Sequence, residues 1–168
     1  MSRQNGLRSM IGVVSLWAGI AGLGGGVAAA QTPQLPVTIQ VYNGSSTPVD
    51  IMVEPWAAVF LDDRPVTLAA LRPGVVADVV IDSQGQATEV LASDRTVSGV
   101  VSTVRTANNG HLYLVIAGRS YEVRRSSAVV ASGGSVIGSL MGDQSLLTDN
   151  EVIAHLGPGG RVGYVEIG

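Results

Sequence analysis

From Val37 onward apolar and polar residues alternate along the chain, and turn-forming residues interrupt the alternation every few positions. A period of two is the side-chain period of a β-strand, because successive residues point to opposite faces. Strands patterned in this way bury their apolar face only by packing against a second sheet or by curling the sheet on itself. The expected fold is all-β, a β-sandwich or small barrel of roughly eight to eleven short antiparallel strands.

The first hairpin shows the pattern most clearly. Val37, Ile39 and Val41 alternate with Thr38, Gln40 and Tyr42, and Val49, Ile51 and Val53 alternate with Asp50, Met52 and Glu54. The turn from Asn43 to Thr47 sets Gln40 opposite Asp50 and makes the odd positions the core face. Further strands are expected over 66–71, 75–81, 96–105, 112–117, 120–124, 151–156 and 161–167. Gly118-Arg119 reads as a two-residue turn joining the fourth and fifth of these. Over 149–156 a helix competes, since Thr148-Asp149-Asn150-Glu151 matches a capping box and Gly157 can close a short helix. A seam falls near 92–95, between a sandwich-like half and a meander half. Halves of this size are marginal alone, so 31–168 is expected to form a single domain.

The N-terminus has the layout of a signal peptide. Arg3 and Arg8 precede an apolar stretch from Met10, and Ala28-Ala29-Ala30 supplies small residues for cleavage after Ala30. An alternative keeps the stretch as a membrane anchor, because no charge lies between Met10 and Ala30. Its many glycines and the lack of a following positive cluster favour cleavage, and with it a periplasmic or secreted protein without stable membrane insertion.

Composition then removes whole classes of chemistry. After Ala30 thirteen acids face eight arginines, a net charge of −5, which argues against a nucleic-acid partner. The chain has no cysteine, so disulfides, thiol nucleophiles and thiolate metal sites are excluded. It has no lysine, which removes Schiff-base chemistry and the P-loop cation. The glycine-rich stretches around Ser135, Ser139 and Gly159 match neither a nucleophile elbow nor a dinucleotide loop. No metal, cofactor or catalytic residue is assigned.

Four residues stand out as binding candidates. Trp56 is the only tryptophan after Ala30. Parity points it away from the first core layer unless Pro55 resets the register, and the simplest use for it is to fold back with Phe60 and plug the end of the sandwich. The competing use is an exposed aromatic contact. In the second half, Tyr113 and Arg124 are expected as an exposed aromatic–cation pair, with Arg105 beside them on the neighbouring strand, able to receive an acidic group. His155, with Asp149 or Glu151, is the only arrangement that suggests hydrolysis.

Residues 37–61 resemble a group of small uncharacterised bacterial proteins. The likeness lies in Asn43, Ser46, Pro48-Val49 and above all Val53-Glu54-Pro55-Trp56, a V-E-P-W stretch after an Asn-Ser/Thr-Pro turn. The same stretch is similar to the opening hairpin of immunoglobulin-like envelope modules. The resemblance implies a sandwich-like fold and transfers no activity, and the chain departs from it by Asp62-Asp63-Arg64-Pro65. The expected function is a non-enzymatic exported module that binds a protein or surface polymer in the cell envelope or outside the cell. The alternatives are a hydrolase of unrecognised type and a structural subunit sharing edge strands.

Overall fold

The parity of the first hairpin is realised in three dimensions: Ile39, Val41, Ile51 and Val53 are buried, while Asp50 and Met52 face out. The structure, a computed structural model, describes residues 10–15, 37–42, 47, 49–132 and 134–168. The proposed cleavage site at Ala28 to Ala30 lies outside the described residues. Among the described residues there are twelve strands: β1 (Met10–Ser15), β2 (Val37–Tyr42), β3 (Val49–Leu61), β4 (Arg64–Pro65), β5 (Val75–Ile81), β6 (Ala87–Ser93), β7 (Thr96–Thr106), β8 (Leu112–Ile116), β9 (Arg119–Ala131), β10 (Val136–Ser139), β11 (Glu151–Leu156) and β12 (Val162–Ile167). Only 3-10 turns interrupt them, and 151–156 is strand rather than helix. The strand expected over 66–71 is replaced by a 3-10 turn at Leu68–Ala70.

The strands form two sheets, and each closes on itself. In the first the order is β2-β1-β5-β6-β3-β4, with β2 also pairing β3. In the second it is β10-β9-β12-β11-β7-β8, with β9 also pairing β8. Each is thus a five-strand ring with one short strand, β4 or β10, hung outside. A ring with an odd number of strands cannot alternate direction all the way round. One pair must run parallel, and it is β3–β6 in the first ring and β9–β12 in the second. The sheets are therefore mixed, not purely antiparallel as expected, because alternation along a strand fixes its faces and not its neighbours' direction.

The two rings share one plan. In each, three strands form a meander, a short hairpin strand follows, and the last two strands return to close the barrel. The match extends to single residues. Val53 pairs with Ala87 and Ala58 with Glu89, so Glu54 to Ala57 bulge against Thr88 alone. Val123 pairs with Val162 and Ala128 with Tyr164, so Arg124 to Ser127 bulge against Gly163 alone. Gly12-Val13-Val14-Ser15 of β1 and Gly99-Val100-Val101-Ser102 of β7 are the same four residues at the same station. Val14 lies opposite Val41, and Val101 opposite Ile116.

Each barrel has its own apolar interior. One is built around Ile39, Val59, Val79 and Val90, the other around Leu114, Ile116, Val129 and Val165. A third, smaller cluster joins them: Val76 of β5 packs against Ala128, Val130 and Tyr164 of the second barrel. Gly163 is required there, since a Cβ at that position would stand 2.3 Å from Val76 Cγ1. Tyr164 also donates its phenol to the Gly74 carbonyl at 2.8 Å.

Candidate functional site

The joint between the barrels uses the second bulge. Arg124 is buried, its side chain fully so, and its guanidinium makes a bidentate pair with Asp78 of β5. The same group donates to the Pro158 carbonyl at 2.7 Å. This overturns the expected exposed Tyr113–Arg124 pair. The cause lies in two places. The β8–β9 turn is Ala117-Gly118, with φ of 49° and 78°, so Tyr113 pairs with Glu122 and the register is displaced by two residues from the expected one. The bulge then turns Arg124 toward the first barrel. Arg105 takes the place by the ring instead, with its guanidinium carbon 5.4 Å from the Tyr113 centroid. Its Nη2 also donates to Ser120 Oγ at 3.4 Å. Of the four binding candidates, only Arg105 and Tyr113 are brought together.

Trp56 sits on the first bulge, in the other barrel. It is 69% exposed and does not plug the barrel end with Phe60. The bulge explains this: four residues against one break the ladder at Glu54, and the chain resumes its inward parity only at Val59. Pro55, which has no N–H to give the ladder, belongs in such a break. Beyond Trp56 the outer side of β3 carries exposed Ala58 and half-buried Phe60, with Pro65 opposite Phe60 on β4. Glu54 and Glu89 border this face. At the matching stations of the second barrel, Ala128, Val130 and Tyr164 are buried against the first barrel.

A cavity of about 570 Å³ opens at the joint, lined by Arg72, Asp94, His155, Tyr164 and Glu166 beside Leu61 and Val75. The β11–β12 register sets His155 opposite Tyr164, and their rings stack at 4.0 Å, 10° from parallel. The carboxylate beside His155 is Glu166, 3.6 Å from Nε2, rather than Asp149 or Glu151. That nitrogen is buried without a hydrogen-bond partner. Burial pushes the imidazole pKa below its ordinary value, and Glu166 only partly opposes this, so the ring is neutral at pH 7. Burial, and then Glu166, pushes the Tyr164 phenol up, which keeps it protonated and donating to Gly74. Glu166 was hidden from sequence reasoning because it lies in another strand. The signal for it was the hairpin register, which puts it two residues beyond Tyr164 on the same face of β12.

A smaller cavity of about 260 Å³ lies at the other side of the second barrel, among His111, Glu122, Arg125, Met141 and Arg161. There Glu122 holds His111 Nδ1 at 2.9 Å and Arg161 Nη1 at 4.0 Å. Among the described residues no group of three or more His, Asp or Glu is placed to hold a metal ion. Comparison with protein-family models and with curated proteins finds no match.

Proposed function

We propose that this chain is an exported, non-enzymatic β module that binds a protein in the cell envelope or outside the cell. Residues 1–30 act as its signal peptide, cut after Ala30. The observation that carries the reading is the exposure of Trp56 on a bulge whose counterpart in the second barrel sends Arg124 into the joint with the first. A tryptophan left in water beside Pro55, Ala58 and Phe60 is a contact surface awaiting a partner. Glu54 and Glu89 at its border favour a partner that brings cations, and they disfavour an anionic surface polymer.

The test is recovery of the protein from its native host with its bound partner. Trp56→Ala is expected to lose the partner while keeping its melting temperature, and Arg105→Ala to keep both. Retention by Trp56→Ala contradicts the assignment.

One observation favours a second reading, a hydrolase centred on His155: an imidazole with Glu166 beside it in the cavity at the joint. A hydrolytic activity abolished in His155→Ala at unchanged stability would replace the binding reading with this one.

A further inference from the structure

Strand β1 lies inside the segment read as the signal peptide, and it closes the first barrel. It is antiparallel to both neighbours: Val13, Val14 and Ser15 pair with Tyr42, Val41 and Gln40 of β2, and Met10 to Val14 pair with Val79 to Val75 of β5. Removal of residues 1–30 takes this strand away. It leaves facing rows of unpaired N–H and C=O groups on β2 and β5. It also opens the first interior, where Ile39, Val41, Val75, Ala77 and Val79 are 0–4% exposed in the closed ring. The second barrel suffers no such loss, because its Gly-Val-Val-Ser strand lies at residues 99–102, within the mature chain.

We propose that the processed protein presents the gap between β2 and β5 as an acceptor for a β-strand of a partner protein, which enters antiparallel to both edges. This rests on the signal-peptide reading. The occupant's chemistry is set by the strand that fills the gap here: six uncharged residues, glycine third, branched aliphatics fourth and fifth. Main-chain pairing on two edges gives affinity. The matching station of β7 calls for glycine as well. At Gly99 the backbone has φ of +152° and a Cβ would stand 3.2 Å from Ile116 Cγ2. A second copy supplies no spare strand of this type, because the other Gly-Val-Val-Ser of the chain is already built into its own second barrel as β7.

The experiment begins with the intact mass of the exported protein. A chain that still contains Met10 overturns the signal-peptide reading, and the acceptor proposal with it. A chain starting at Gln31 is then titrated with a synthetic peptide of residues 8–17, followed by thermal melting and amide exchange. The expected result is binding in the micromolar range, a melting midpoint raised by several degrees, and slowed exchange confined to β2 and β5. The Gly12→Ile peptide is expected to bind roughly tenfold more weakly or worse. If the processed chain is unfolded alone and folds with the peptide, the proposal is equally supported. No binding and no folding with the peptide overturns it while leaving the signal-peptide reading intact. A dimer that protects β2 and β5 without peptide also overturns it, in favour of a second copy as occupant.

Discussion

Glu54 to Ala57 and Arg124 to Ser127 are the same backbone device in two barrels of the same plan, yet one leaves Trp56 in water and the other sends Arg124 into the joint. The difference is chemical. At the station of buried Arg124 the first barrel carries Glu54, and at the station of Gly163 it carries Thr88. On the receiving side, the stations of Val76 and Asp78 in β5 are held in β11 by Glu151 and Ile153. A third barrel cannot be added by repeating the joint. Thr88 brings a side chain where only glycine fits, and Glu54 would approach Glu151 and Ile153 instead of an aspartate. The two barrels share one plan but not the residues of the joint, so Trp56 on the first bulge stays in water.

The comparison breaks most sharply at the ion pair. Asp78→Asn leaves Arg124 buried without its counter-charge and is expected to cost about 3 kcal/mol in urea denaturation. Glu54→Gln at the matching station of the first barrel is expected to change stability by no more than about 0.5 kcal/mol. Equal effects would mean that the two bulges are not in different environments. Next comes Gly163→Ala, expected to cost about 2 kcal/mol by overpacking against Val76 and to be largely rescued by Val76→Ala.

The joint also titrates, and the first barrel's equivalent of His155, Val80, does not. Folding lowers the His155 pKa, so between its folded value and the ordinary 6.5 the unfolded chain binds a proton that the folded chain refuses. Stability is unaffected well above pH 6.5 and falls as pH drops through it. His155→Gln is expected to flatten that part of a stability-versus-pH curve, and an unchanged slope would place the imidazole in water. The smallest expected effect is a gain. Ala117→Asn relieves a left-handed alanine in the tight β8–β9 turn and should add about 0.5 kcal/mol, read as a small rise in melting temperature.

How far these features were legible follows from what alternation encodes. Parity alone placed Ile39, Val41, Ile51 and Val53 inside, with Gln40 opposite Asp50, because a short hairpin fixes its own register. Over 151–156 it favoured the strand that is found, with a helix left as the competitor. It did not give β6 and β10: one has the irregular burial of a strand that meets a bulge, and the other spans four residues. The parallel closures were invisible because they join strands far apart in sequence. Within the candidate sites, Trp56 and Tyr113 with Arg105 were legible as residues, whereas the fate of Arg124 was not. Its partner Asp78 lies in the other barrel, and a bulge carries no hydropathy signature. The shared Gly-Val-Val-Ser was readable in the sequence, but it gains meaning only once β1 and β7 are seen at the same station.

Residue-resolved amide exchange on the native chain tests the central contrast most directly. The account predicts slow exchange at Arg124 and Ser127, which are buried, and fast exchange at Trp56, which is open to water. Equal protection of the two bulges, or a protected Trp56 in the isolated protein, would contradict it.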